Sequence, residues 1–277
     1  MGMFDQHLHT RHSFDSESDP RDYVLRALER GLSGLTFTEH YDTHPEDWPT
    51  CRYDDEAYDA DIAALRGEFG RDIMIGKGIE VCHQPDRTDR ILGFLAGRDF
   101  DVVLLSVHWV GDWPIYHRRD WEGKTSAQVS GAYLGAVLGA AEMCVRLKRR
   151  GGNSFNILGH LDLVRRYTHR FLQSDEPLGH EDLVDEILCC CLAADLVPEI
   201  NTSSLRGGLT EPMPGESLVR RYAELGGTAV ALGSDAHTAQ DVGAGLTQAA
   251  AMARRCGIEH QAVFQNRRMR AVPLGNG

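Results

Sequence analysis

The chain has 277 residues, enough for one large or two small domains with a sizeable buried core. Its 42% hydrophobic and 25% charged residues exclude wholesale disorder. Its net charge of −12 argues against a general binder of nucleic acid or anionic membrane, which would show a basic face.

Apolar runs alternate with helical patterns along most of the chain. Residues 4–9 read as a short first strand. Asp19-Pro20 opens a helix to about Arg30, stopped by Gly31. Residues 34–38 are a β-rich second strand, residues 55–69 a helix, and residues 73–81 a third strand. Residues 102–107, Val-Val-Leu-Leu-Ser-Val, form the near-continuous apolar run of a strand buried on both faces. A long helix over 126–149 ends at Gly151-Gly152, and residues 155–158 are a fifth strand. A helix over 180–194, a strand over 196–200, a helix over 215–225, a strand over 228–232 and a helix over 240–256 follow. Seven short strands, each followed by a helix or long loop, point to βα units and a mainly parallel sheet. No linker or repeat divides the chain. The expected fold is α/β, a single-domain TIM-like barrel with seven units, hence distorted, with 257–277 as a C-terminal extension.

No apolar run approaches the roughly 20 residues of a bilayer-spanning helix. The opening residues lack the basic and apolar regions of a secretory signal. Seven cysteines include no CxxC pair, and three are consecutive, which suits reduced thiols in a helix. A cytoplasmic protein without a membrane partner is expected.

The informative residues are the 13 histidines. His7 and His9, His40, His108, His160 and His237 fall at the C-terminal ends of predicted strands, together with Glu80 and Asp235. In a closed βα barrel these ends open on one face. Imidazoles and carboxylates converging there suit Zn, Mn or Fe. In His7-x-His9 the period of two turns both rings to one side.

The segments D-x-H-x-H, T-E-H, G-I-E, S-V-H, G-H-L-D and S-D-A-H occur in this order between residues 5 and 237. They resemble the PHP (polymerase and histidinol phosphatase) superfamily, and more narrowly its histidinol-phosphatase branch. The resemblance implies a distorted (β/α)7 barrel around three divalent cations. It implies one cation at His7, His9, Glu80 and Asp235, and another at Glu80, His108 and His160. The third would take His40, His237 and Asp15, with His12 as the competitor for the last place. It further implies hydrolysis of a small anionic phosphate monoester by metal-activated water, most narrowly L-histidinol phosphate in histidine biosynthesis. Asp235 and His237 are the candidate proton donors. Phosphate favours guanidinium forks, so Arg165, Arg206 and, after them, Arg166 are candidate substrate residues. Ser106 is a candidate donor to phosphate, and Trp109, Trp113 and Tyr116 a candidate aromatic wall. A nucleotide phosphatase, a 3′–5′ exonuclease and a non-catalytic metal-binding domain are the alternatives. The charge makes nucleic acid the weaker partner, and the sequence leaves the oligomeric state open.

Overall fold

The structure is a computed structural model that describes residues 2–51, 53–152, 154–176 and 178–275. In chain order it contains β1 (Phe4–Asp5), α1 (Pro20–Glu29), β2 (Gly34–Tyr41), α2 (Asp55–Phe69), β3 (Met74–Cys82), α3 (Thr88–Leu95) and β4 (Val102–Ser106). A small hairpin of β5 (Trp109–Val110) and β6 (Trp113–Pro114) precedes α4 (Ser126–Arg149). Then come β7 (Ile157–Leu158), α5 (Val164–Tyr167), α6 (Glu181–Ala194), β8 (Val197–Asn201), α7 (Ser203–Arg206), α8 (Glu216–Glu224), β9 (Ala229–Gly233) and α9 (Leu246–Arg255). The hairpin of β10 (His260–Gln265) and β11 (Arg268–Pro273) ends the fold.

The main sheet runs β1-β2-β3-β4-β7-β8-β9-β10-β11. Its pairs are parallel from β1 to β10, and only β10–β11 is antiparallel. β1 and β9 share no continuous ladder. Three main-chain bonds join them instead: Gln6 N–H to the Leu232 carbonyl at 2.9 Å, Asp235 N–H to His7 at 2.8 Å and His9 N–H to Ala236 at 2.9 Å. Seven strands therefore close on themselves through an irregular seam, which is the distortion of the barrel. The first strand is shorter than the expected 4–9 for a local reason. The Asp5 carboxylate, and not a main-chain carbonyl, accepts the N–H groups of Ser234 at 2.8 Å and Gly243 at 2.7 Å.

Strand periodicity separates two packing layers. Val103, Leu105, Ile79, Val81, Ile200, Val230 and Leu232 belong to the outer core between sheet and helices. Val102, Leu104, Ile157, Val197, Ala229 and Ala231 form a separate cluster that also takes in Ala262 and Phe264 of β10. This inner cluster closes the N-terminal end of the barrel. Gln6 fixes the closure: its amide donates to the Ala262 carbonyl at 2.5 Å and accepts from Phe264 N–H at 3.1 Å. The stretch read as an extension thus contributes core. Two boundaries also differ from expectation. The last helix begins at Leu246, because Gly243 and Gly245 adopt positive φ of 71° and 78°. Strand β7 covers only 157–158, with the Asn156 side-chain carbonyl accepting Val103 N–H at 3.0 Å. No described helix is long and apolar enough to cross a membrane.

Candidate metal centre

At the C-terminal end of the barrel, the inward register that carries alanine and leucine below carries charge above. In β3 the inward positions run Gly76, Gly78, Glu80. Substitution of either glycine would press a Cβ within 3 Å of Thr36, Val102, Phe37 or Thr38 atoms. Glu80 is 1% exposed, His7 and His9 0%, His160 3%, Asp235 6% and His40 7%. Such burial of charge is stable only with paired partners or bound cations.

His7 Nε2 and His9 Nε2 face each other at 3.0 Å. Each lies 3.5 Å from Glu80 Oε2, and 3.8 and 3.5 Å, respectively, from Asp235 Oδ1. Four ligands about 2.1 Å from one zinc ion would stand about 3.4 Å apart. The other oxygen of the carboxylate, Glu80 Oε1, lies 3.0 Å from His160 Nε2 and 3.5 Å from His108 Nε2. Asp15 Oδ2 is 2.9 Å from His237 Nε2 and 3.3 Å from His40 Nε2. The donor sets His7–His9–Asp235, His7–Glu80–His160, His9–His40–His237 and His40–Asp42–His108 are each compact enough to hold an ion.

The hydrogen bonds behind these atoms support the same use. Glu199 Oε1 accepts from His7 Nδ1 at 2.7 Å, which fixes the tautomer and turns the Nε2 lone pair into the cluster. Ser13 lies 3.3 Å behind His9 Nδ1. With both Nδ1 atoms occupied, the Nε2 lone pairs of neutral His7 and His9 point at one another. A cation between them removes that repulsion, so the donor set fits a metal.

Without a cation, protons take its place. Burial lowers His7, but Glu199, Glu80 and Asp235 outweigh it and hold the imidazole well above its ordinary value. His40 and His108 are likewise raised against burial, His40 by Asp15 and Glu80, and His108 by Cys82, Glu80 and Asp42. His9 goes the other way, to about 3, through burial and the neighbouring His40 and His237. Glu80 and Asp235 are held well below the usual carboxylate range, against burial, by the surrounding imidazoles. Two of the cluster residues, His160 and Asp235, also sit at positive φ, 22° and 52°. Non-glycine residues rarely adopt such angles, and they concentrate at functional sites.

The PHP domain model matches residues 5–203. The chain is 31% identical over 274 residues to a probable histidinol-phosphatase of Deinococcus radiodurans, covering 97% of this chain and 98% of that one. It is 28% identical to a histidinol-phosphatase of Lactococcus lactis over 95% of each. The chain belongs to the PHP domain family. A crystal structure of histidinol phosphate phosphatase from Lactococcus lactis, complexed with zinc, L-histidinol and phosphate, superimposes with a TM-score of 0.83 at 27% identity, covering 97% of this chain and 99% of that one.

In this PHP domain the nine residues expected as ligands lie around one cup of about 280 Å³, directly on its lining or just beneath it. His12 turns away to Asp61 at 2.7 Å, whereas Asp15 faces His237 and His40 across the cup. The expected substrate residues are placed differently. Arg165 is held by Asp162 at 3.1 Å and Glu211 at 3.6 Å, outside the cup lining. Arg206 donates to the Ser234 and Asp235 carbonyls at 2.9 and 3.0 Å and supports that loop from behind. Arg166 lines the cup, held by Ser203 and by Asp235 Oδ2 at 3.2 Å. Ser106 is fully buried within the strand, 3.4 Å from the Val81 carbonyl. Trp109 stacks on His44 at 3.4 Å and donates its indole N–H to Asp47, and Trp113 packs on Trp121 at 5.5 Å. Of the expected aromatic wall, Tyr116 reaches the cup, where Tyr167, Phe14, Asp42 and Asp47 join it. Glu199 carries the least visible role. It stands two residues before Asn201 in an ordinary strand pattern, and only its place facing His7 reveals its use.

Proposed function

We propose that this protein hydrolyses L-histidinol phosphate to L-histidinol and phosphate, a step of histidine biosynthesis, with three divalent cations in the cup. The observation that carries this reading is the convergence of nine residues with nitrogen and oxygen donors, six of them buried, with Glu80 offering one oxygen to each of two donor groups. The like-folded Lactococcus lactis enzyme, complexed with zinc, L-histidinol and phosphate, supports both the reaction and the substrate. His7, His9, Glu80 and Asp235 would hold one cation, Glu80, His108 and His160 a second, and Asp15, His40 and His237 the third. Zinc, manganese and iron all suit these donors. Cations bound there supply Lewis acidity to a phosphate ester and to water.

The chain's own residues do the rest. Glu199 and Ser13 hold His7 and His9 in register. Arg166, oriented by Asp235 and Ser203, presents its guanidinium to the phosphate oxygens. The pair Asp235–His237, with Oδ1 and Nδ1 3.6 Å apart, delivers the proton that the leaving alkoxide requires. Tyr116, Tyr167 and Phe14 offer an aromatic wall to the imidazole of the substrate. The seven cysteines are unpaired, as in a cytoplasmic enzyme. The test is metal analysis of the purified protein together with a phosphate-release panel. L-histidinol phosphate should be the preferred ester over nucleoside monophosphates and short single strands. Preference for a nucleic substrate, or metal-loaded protein that releases no phosphate from any ester, overturns the reading.

A further inference from the structure

Beside the metal cup lies a second and larger cleft, of about 530 Å³, lined by Tyr116, His117, Arg118, Arg119, Arg170 and Phe171. Two features join it to the cup. Tyr116 lines both cavities. One helical segment also spans them, since α5 continues through a wider turn over Thr168–Leu172. On that segment Arg166 and Tyr167 line the cup, while Arg170 and Phe171, four residues on, line the cleft. Residues spaced by four share a helix face, so the guanidinium of Arg170 follows that of Arg166 outward along one side.

The charge of the cleft runs against that of the molecule. The chain carries −12, which repels an anionic ester at long range. Yet three exposed arginines meet at this lip. Among the described residues, Arg118 and Arg170 have no carboxylate within ion-pair distance. Arg119 has only Asp120, at 3.7 Å. Some other exposed arginines are tied up, Arg21 with Glu68 and Arg220 and Arg255 with Glu216, whereas Arg71, Arg268 and Arg270, scattered away from the cup, have no carboxylate within ion-pair distance among the described residues. What sets the cleft apart is that its three arginines share one concave wall beside the cup. Guanidinia gathered on one concave wall without carboxylate partners leave their donors open to an anion.

We infer that this cleft is an anion antechamber, in which Arg118, Arg119 and Arg170 gather phosphate monoesters and raise their concentration at the mouth of the cup, where Arg166 receives them. The inference rests on the phosphatase reading, but on the anionic ester alone and not on its histidinol half. A cleft of one sign against low-dielectric walls raises association rates by about 10 to 1,000-fold.

The experiment uses the metal-loaded full chain, with L-histidinol phosphate and phenyl phosphate as substrates. The triple variant R118E/R119E/R170E is compared with the charge-matched R71E/R268E/R270E, whose three exposed arginines lie away from the mouth. Salt is raised from about 0.01 M to about 1 M, which shortens the screening length from about 30 Å to about 3 Å. The cleft variant should lose about tenfold or more in kcat/KM at low salt. Its kcat should be unchanged, and it should converge on wild type at high salt. The matched variant should follow wild type. An equal loss in both variants assigns the effect to net charge and overturns the antechamber. So does a wild-type salt slope in the cleft variant, or a fall confined to kcat. The single variant R170E gives the same readings at smaller amplitude if the triple variant fails to fold. If wild type hydrolyses phenyl phosphate but not L-histidinol phosphate, the substrate assignment fails, and the phenyl phosphate series still decides the cleft.

Discussion

The two ends of this barrel are built on the same strands and could hardly differ more. At the N-terminal end the inward positions hold Val102, Leu104, Ile157, Val197, Ala229 and Ala231, and the β10–β11 hairpin adds Ala262 and Phe264. At the C-terminal end, one or two inward steps farther, the same strands present Glu80, His108, His160, Glu199 and Asp235. The floor is stabilised by removing apolar surface from water, at about 25 cal/mol per Å². The cup gains nothing from that source. It gathers carboxylates and imidazoles whose burial is unfavourable until protons or cations balance them. One end therefore supplies stability that the other consumes, and the two should respond to substitution in opposite ways.

The largest contrast is expected at Glu80. Glu80→Gln keeps the volume but removes the charge that faces two donor groups. Activity should fall about 1,000-fold or more, equivalent to about 4 kcal/mol of transition-state stabilisation. The circular dichroism spectrum should be retained. Substantial activity in this variant would mean that the carboxylate does not bridge.

The floor gives the mirror image. Phe264→Ala should lower unfolding stability by about 3–5 kcal/mol, read in urea, while kcat at low temperature stays near wild type. A loss of kcat without a loss of stability would break the division between the ends.

Behind the cup, Glu199→Gln tests orientation and not ligation. It should cost about 10–100-fold in metal affinity or activity. Arg166→Ala should raise the inhibition constant of inorganic phosphate, whereas Arg165→Ala should change it little. Equal effects would show that the observed placement of Arg165 is not its working one.

The smallest effect is a pH dependence, and its sign follows from the shifts. In the metal-free protein His7, His40, His108 and His237 are raised above the ordinary histidine value. Their stabilising contribution is full below about pH 6.5. It is lost as pH rises through the raised values. Glu80 and Asp235 are depressed, so their contribution is present at neutral pH and lost in acid. Cations need the deprotonated imidazoles and so bind more tightly as pH rises. The difference in thermal midpoint between metal-loaded and chelator-stripped protein should widen from pH 6 to pH 8. A constant or narrowing gap would sink the assignment of these histidines as ligands.

Much of the cup was legible because strand ends are local. Asp5-Gln6-His7-Leu8-His9 and Ser234-Asp235-Ala236-His237 place chemistry-bearing residues where an apolar run stops, and the barrel does the gathering. Which arginine lines the cup was not legible. Arg165 and Arg166 are neighbours in sequence, and which one faces the cup depends on the short helix α5 and on Asp162 capturing Arg165. Trp109 follows His108, yet the small β5–β6 hairpin turns its indole to Asp47 and His44. The plug of the floor escaped as well, because β10 and β11 sit in a stretch whose alternation is interrupted by arginines.

The sequence alone determined the parallel βα architecture, the seven strand positions and the donors at their ends, since hydrophobic period and residue type are properties of short segments. Tertiary structure decided the irregular β1–β9 seam, the hairpin that closes the floor, the pairing of Glu199 with His7 and the turning of Arg166, and not Arg165, toward the cup. Each of those depends on side chains tens to hundreds of residues apart competing for the same hydrogen-bond donors and the same space, and no local pattern records who wins.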